Sequence, residues 1–257
     1  MPPVIEARGI SKSFGQVVAL RDVHLSLAAG EVLGVVGDNG AGKSTLMKIL
    51  AGLYPPTSGT LAIDGEAVTL GSPGDARARG VEMVYQDLAL AGNLRIDENI
   101  FLGREITRKV GPFAFVDHGA NLARAKEHLE KLRIHVKSAT QRVEELSGGQ
   151  RQAVAIARAT AFDARVVIMD EPTAALAVKE VRKVLDLIRD LREHGIAVIL
   201  IRHRLDDVFY VCDRVMALFH GRNFAEAPLS EVDRNEVIGW IMGNRSGEPV
   251  PAGLDLN

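Results

Sequence analysis

The chain has little cysteine, few aromatic side chains and no long apolar run. Cys212 is the single cysteine among 257 residues, so no disulfide can form within one chain and a reducing compartment is expected. The longest apolar stretches, such as residues 196–201, are far shorter than the ~20 residues of a membrane-spanning helix. The N-terminal stretch lacks a basic start followed by an apolar run, so we expect no signal peptide. These absences predict a soluble protein that reaches a membrane only through a partner.

The charges of the chain nearly cancel. There are 31 Lys and Arg residues against 33 Asp and Glu residues, a formal net charge of −2. This balance argues against a general nucleic-acid-binding protein, because such proteins carry a positive excess that neutralises phosphates. The length suits one large domain, or a domain with an added lobe, built around a sizeable core.

Short β-branched runs alternate with helical patterns through most of the chain. Residues 178–195 repeat apolar side chains every three or four positions and stop at Gly195, a typical helix-ending glycine. Other runs have the length and apolar content of strands that are buried on both faces of a sheet. This alternation predicts an α/β core. The buried strands are expected at residues 31–37, 81–86, 165–170 and 197–201.

Two segments interrupt the alternation. Asp64-Gly65 lies between alternating apolar positions, which is a hairpin signal and predicts an antiparallel β piece beside the core. Residues of about 88–160 lack strong strand signals and are interpreted as an inserted, mostly helical lobe. The predicted division is a single domain over 1–245, with its core over about 1–87 and 161–245 and a flexible tail over 246–257.

A glycine-rich stretch that follows the first buried strand fits the pattern G-x-x-x-x-G-K-[ST] and precedes a helical run. Its glycines let backbone N–H groups curl around phosphates, and the helix start adds its positive end. Lys43 is expected to reach the β- and γ-phosphate oxygens, and the Ser44 hydroxyl to ligate Mg²⁺. A glycine-rich turn with a solvated lysine is the alternative. The predicted nucleotide-binding residues are Gly37, Asp38, Asn39, Gly40, Ala41, Gly42, Lys43, Ser44 and Thr45.

Polar side chains follow three other predicted strands. Asp170 and Glu171 end an apolar run, and buried unpaired carboxylates are costly, so a role beyond the core is indicated. Asp170 would hold Mg²⁺, directly or through water, and Glu171 would accept the proton of an attacking water. Gln86 could ligate Mg²⁺ or orient water, and His203 could hydrogen-bond a γ-phosphate. Taken singly, each of these residues also fits an ordinary strand end or turn.

Residues 146–150 read Leu-Ser-Gly-Gly-Gln ahead of an Ala-rich helical run. Ser147 and Gln150 fit a capping box, which is the purely structural interpretation. However, Gly148 and Gly149 have no side chains to cover the backbone N–H groups at the start of the helix, and exposed N–H groups there attract anions. A chain that already binds phosphate in one glycine-rich loop has little need of a second, so a partner from another molecule is indicated.

Taken together, these motifs resemble, in order and spacing, the ATP-binding subunit of an ABC transporter over nearly all of residues 4–245. The resemblance implies a P-loop NTPase core with a flanking antiparallel β piece and an inserted helical lobe. It implies that two subunits sandwich two ATP molecules, each bound by the loop of one protomer and by residues 147–150 of the other. We therefore expect ATP and Mg²⁺ as cofactors and a homodimer as the working state.

The same resemblance assigns further roles. Phe14 matches the aromatic residue that stacks on adenine, Gln86 the loop where a membrane partner docks, Glu171 the catalytic base and His203 the switch histidine. Two residues depart from the family pattern: Ala177 replaces an Asp, which concerns the contact between the two ATP sites, and Arg202 replaces a small Ser. Neither departure removes a phosphate, Mg²⁺ or base group, so an active ATPase is expected.

Stretches around the motifs resemble bacterial importers of simple sugars of the ribose, xylose and fructose type. Asp38 and Ala177 point to that branch. It implies a polytopic permease as partner, indirect action with a periplasmic or extracellular sugar-binding protein, and a peripheral position on the cytoplasmic face of the inner membrane. The alternatives are a soluble ABC ATPase that acts on nucleic acid or ribosomes, and a nucleotide-gated regulator with little turnover.

Overall fold

The computed structural model describes residues 3–173 and 176–244, so the predicted tail over 246–257 lies outside it. The strands are β1 (Ile5–Phe14), β2 (Val17–Leu27), β3 (Val32–Val36), β4 (Ser58–Ile63), β5 (Glu66–Val68), β6 (Val81–Val84), β7 (Thr107–Val110), β8 (Phe113–Val116), β9 (Val166–Asp170), β10 (Ala197–Ile201), β11 (Arg214–Phe219) and β12 (Arg222–Pro228). The α-helices are α1 (Lys43–Leu50), α2 (Pro73–Ala78), α3 (Ile96–Phe101), α4 (His118–Lys131), α5 (Gly148–Thr160), α6 (Val178–Glu193), α7 (Leu205–Val211) and α8 (Arg234–Ile241).

The central sheet has the strand order β12-β11-β3-β10-β9-β6, and its strands are parallel except for β12. Every residue of β3 and β10 is buried, as expected for strands covered on both faces. The predicted buried strands are β3, β6, β9 and β10. Because these strands are parallel, the loops that follow them leave the sheet at one edge.

A four-stranded sheet of order β2-β1-β4-β5 covers one face of the central sheet. Its strands pair antiparallel, which confirms the expected antiparallel piece. The hairpin between β4 and β5 turns at Asp64 and Gly65, with φ of 53° and 80°. Two successive left-handed residues are what a tight type I′ hairpin requires.

Helices α5 and α6 cover the other face of the central sheet. One buried apolar cluster contains Val154 and Ile156 of α5, Val184 and Ile188 of α6, and buried side chains of β9 and β10. Helix α6 ends as predicted, because Gly195 follows its last turn with a φ of 79°. None of the described helices is both long and apolar enough to cross a membrane.

The segment interpreted as a helical lobe contains α3, α4 and α5, and also a hairpin that the sequence analysis missed. Strands β7 and β8 pair antiparallel, with Val110 opposite Phe113, and all their residues are exposed. Without a buried face there is no alternation between apolar and polar positions, so the periodicity signal of a strand is lost. The Gly111-Pro112 pair is the turn signal that could have indicated it.

Candidate nucleotide-binding site

A cavity of about 480 Å³ lies at the edge where the parallel strands of the central sheet end. It joins four loops, those that follow β3, β6, β9 and β10. The lining also includes Ala19 and Ile201, which the sequence analysis did not single out. The predicted site residues that line this cavity are Asn39, Gly40, Gly42, Lys43, Ser44, Thr45, Gln86, Asp170, Glu171 and His203.

The loop after β3 packs its backbone too closely for side chains at two glycines. Gly37 and Gly42 have φ of 145° and 102°, which side-chain-bearing residues rarely adopt. A Cβ on Gly37 would lie 2.3 Å from the Leu218 carbonyl oxygen, and a Cβ on Gly42 would lie 2.8 Å from that of Ala19. The loop can therefore take this conformation only with glycine at both positions.

Lys43 begins α1 and is only 7% exposed. Its ammonium donates to the carbonyl oxygens of Gly37, at 2.7 Å, and Asp38, at 3.0 Å. Burial lowers the pKa of Lys43, and the nearby charges of Glu171, Asp170 and Asp38 act in the opposite direction. The loop therefore encloses the Lys43 ammonium, which lies near the carboxylates at the end of β9.

Glu171 and His203 meet across the cavity. The Glu171 backbone adopts the left-handed conformation, with a φ of 52°, and its N–H donates to the Ile201 carbonyl at 3.2 Å. Its Oε1 lies 2.7 Å from Nε2 of His203, an ion-pair distance without the alignment of a hydrogen bond. Among the described residues this buried oxygen has no hydrogen-bond partner. A carboxylate and an imidazole, two groups that can exchange protons, thus face each other in this cavity.

The donor set fits a magnesium ion that binds together with phosphate. Within residues 3–173 and 176–244 there is no cluster of three or more His, Cys, Asp or Glu residues that could hold a metal ion. Mg²⁺ commonly takes one or two protein carboxylates together with substrate phosphates and water. Ser44, Gln86 and Asp170 bring a hydroxyl, an amide and a carboxylate to the same cavity, which suits that mode.

Residues 147–150 are here called the signature segment, and three of them, Ser147, Gly149 and Gln150, line a different cavity of about 490 Å³ beside α6. Both halves of the expected capping box are present. The Ser147 hydroxyl oxygen accepts from the Gln150 N–H at 3.3 Å, and Oε1 of Gln150 accepts from the Ser147 N–H at 3.1 Å. One chain therefore holds the glycine-rich loop and the signature segment in separate cavities.

Phe14 is not among the described residues that line the nucleotide cavity. It is the last residue of β1, is 45% exposed, and meets the ring of Tyr54 edge-on with centroids 5.4 Å apart. The Lys12 ammonium lies 5.1 Å from the centre of the Phe14 ring. An exposed ring is available for stacking, and the predicted contact with adenine stays a prediction.

One of the two departures from the family pattern, Arg202, has a structural explanation, and nothing in the structure explains Ala177. Arg202 and Asp207 are both buried, with 3% and 7% of their surface exposed. Nε of Arg202 donates to Oδ2 of Asp207 at 3.0 Å, and Nη2 donates to the same oxygen. This buried ion pair joins the loop after β10 to α7. Ala177 is the N-cap residue of α6 and supplies no side-chain cap.

Comparison with known proteins agrees with this geometry. A model of the ABC transporter family matches residues 20–174. The xylose/arabinose import ATP-binding protein XylG of Sulfolobus acidocaldarius is 44% identical over 92% of this chain and 93% of its own length. For the fructose import ATP-binding protein FrcA of Rhizobium meliloti, the identity is 44% and 94% of each chain is covered. The chain belongs to the ABC transporter family, which confirms the resemblance.

Longer relatives match as well. The ribose import ATP-binding protein RbsA 3 of Rubrobacter xylanophilus is 45% identical over 98% of this chain, which spans 50% of that protein. Among solved structures, an ATP-binding cassette of an ABC transporter in its ADP conformation has a TM-score of 0.80 at 25% identity, covering 94% of this chain and 96% of its own. The fold class is confirmed, and membership of this family implies nucleotide binding.

The buried pair of Arg202 and Asp207 gives a testable prediction about stability. Arg202→Met leaves the Asp207 carboxylate buried without its partner, so the free energy of unfolding should fall by about 3–5 kcal/mol in urea denaturation. The double variant Arg202→Met/Asp207→Leu removes both charges and should recover most of that loss. Arg204→Met, at an exposed neighbour, is the control and should change stability by about 0.5 kcal/mol or less. A loss at position 202 no larger than the control would contradict this assignment.

Proposed function

We propose that this chain is the ATP-binding and ATP-hydrolysing subunit that powers uptake of a simple sugar through a membrane permease. The observation that carries the proposal is the Glu171 carboxylate, which lies 2.7 Å from His203 and in one cavity with Lys43. The names of the relatives support the branch, since XylG, FrcA and RbsA 3 are import ATP-binding proteins for xylose or arabinose, fructose and ribose.

Hydrolysis uses the groups at the ends of the parallel strands. The backbone of the loop after β3 and the Lys43 ammonium bind the triphosphate, replacing the carbonyl contacts that Lys43 makes within the loop. Glu171 accepts the proton of the attacking water, and His203 steadies that carboxylate and contacts the γ-phosphate. Ser44, Asp170 and Gln86 would hold Mg²⁺, which would supply charge neutralisation at the phosphate oxygens.

The working form is a homodimer with two composite sites. In each, the glycine-rich loop of one protomer binds ATP and the signature segment of the other binds its terminal phosphate. The separation of these elements into two cavities of one chain supports this arrangement, because one copy cannot bring both to one phosphate. Dimerisation also has a precedent in a dimeric ATP-binding cassette bound to ADP and Pi, with a TM-score of 0.71 at 28% identity.

The membrane partner docks near Gln86, which is exposed in the loop after β6. Movement of this loop with the nucleotide would transmit closure of the dimer to a polytopic permease. The sugar is selected by the permease and by an external binding protein, so this chain makes no contact with it. The position that follows is peripheral, on the cytoplasmic face of the inner membrane.

Lys43 tests the nucleotide cavity. Lys43→Ala removes the one ammonium that the loop encloses, and the Kd for ATP should rise by about tenfold or more, because charged hydrogen bonds are lost. Isothermal titration calorimetry measures the change. Lys48→Ala on the same helix makes the same change of charge outside the cavity and should leave the affinity near that of the parent protein. Equal affinity in the Lys43 variant would refute this part of the site.

Glu171 tests the chemical step. Glu171→Gln keeps the shape of the side chain but cannot accept a proton, so phosphate release should fall roughly 10²–10⁴-fold while ATP still binds. Dimers held by uncleaved ATP should accumulate, which sedimentation measures. Glu130→Gln, an exposed position on α4, is the control. Unchanged turnover in the Glu171 variant would remove this residue from the role of base.

Gly149 tests the composite site. Gly149→Asp puts a carboxylate where the partner's phosphate is bound, with its Cβ only 2.9 Å from that of Glu180. The monomer should bind ATP normally, but dimers should not form in the Glu171→Gln background. Gly119→Asp is the matched control, because Gly119 is likewise the second residue of its helix, α4. Normal dimerisation of the Gly149 variant would contradict the sandwich.

A further inference from the structure

The carboxylate of Glu180 lies on the signature segment. Glu180 is in the first turn of α6, and a Cβ on Gly149 would meet its Cβ at 2.9 Å, its Cγ at 3.2 Å and its Cδ at 3.3 Å. Its Oε2 would lie 3.7 Å from a Cβ on Gly148, and Glu180 lines one cavity with Ser147, Gly149 and Gln150. It thus bridges the N-terminal ends of α5 and α6.

The Glu180 side chain lies beside donors that the capping box leaves free. In the box, the Ser147 hydroxyl oxygen accepts from the Gln150 N–H, and the Ser147 N–H donates to the Gln150 side chain. The hydroxyl hydrogen of Ser147 and the N–H of Gly149 take no part in that box, and the Glu180 side chain lies against Gly149 and in one cavity with Ser147. Its hydrogen bonds, led by the one from Ser147, hold the pKa of Glu180 below its usual value, so it is ionised at neutral pH.

We propose that Glu180 is a resident anion of the signature segment, which the terminal phosphate of ATP on the partner protomer must displace before the dimer closes. The inference rests on the proposed function, because it requires the composite ATP site. It adds a residue that competes with the phosphate for the same donors. Lys183, one turn further along α6, lines the same cavity and can receive the displaced carboxylate.

A fixed brace is the opposite role for the same contact. As a brace, Glu180 would hold Ser147 and Gly149 in the shape that the phosphate needs, and its removal would weaken closure. As a competitor, it must leave, and its removal should strengthen closure. A carboxylate that remained beside a triphosphate would also repel it, since both carry negative charge. The two roles therefore predict changes of opposite sign.

The experiment compares Glu171→Gln with Glu171→Gln/Glu180→Gln. Both variants retain uncleaved ATP, so the MgATP concentration that gives half-maximal dimer can be measured by analytical ultracentrifugation. Removing the charged acceptor should lower this concentration about tenfold. Glu171→Gln/Glu193→Gln is the matched control, because Glu193 is an exposed carboxylate at the other end of α6, and it should match the Glu171→Gln parent. Glu171→Gln/Glu180→Ala should change in the same direction as the Gln variant.

The possible outcomes separate this inference from the proposed function. An equal or higher MgATP requirement in both Glu180 variants would overturn the competitor role while leaving the sandwich intact. Absence of dimers in Glu171→Gln itself would overturn the proposed function and this inference with it. Hydrogen exchange at the Gly149 amide of the ATP-free monomer is an independent measure: it should speed up in Glu180→Gln, and an unchanged rate would refute the contact.

Discussion

The parallel pairing of β3, β10, β9 and β6 is the constraint on which the site depends. Parallel strands present their carboxyl ends at one edge, so residues far apart in sequence meet there without direct contacts to guide them. The register of the strands fixes where each loop leaves the sheet relative to its neighbours. Ile201 of β10 is opposite Asp170 of β9 on one side and Val35 of β3 on the other. The positions of Glu171 and His203 relative to the loop follow from backbone hydrogen bonds alone.

Much of this arrangement could be predicted from the sequence, because the signals are local. Buried parallel strands appear as short β-branched runs, and polar candidate residues lie at or within two residues of the ends of β6, β9 and β10, as with Asp170 at the end of β9. The glycines of the loop after β3 and the turn at Asp64-Gly65 are needed for conformations that few other residues adopt. Gly195 marks the end of α6 for the same reason. Such features require no knowledge of tertiary packing.

The remaining features depend on contacts between distant segments, which leave no local pattern. Glu180 looks like an ordinary acidic residue in the first turn of a helix until the fold brings it onto Gly149. Arg202 looks like a departure beside the candidate residue His203 until Asp207 is seen to be buried with it. The hairpin of β7 and β8 was missed for another reason. Both of its faces are exposed, so its sequence does not alternate between apolar and polar residues. Each case needed the tertiary structure.

Glu171 carries its carboxylate on backbone that L-residues other than Asn and Asp seldom occupy. A left-handed residue at the end of a strand costs on the order of 1 kcal/mol or more, which the paired sheet around it must offset. A glycine would relieve that cost but would remove the carboxylate that is proposed to accept the proton. Backbone strain and the proposed chemistry therefore favour different residues at this one position.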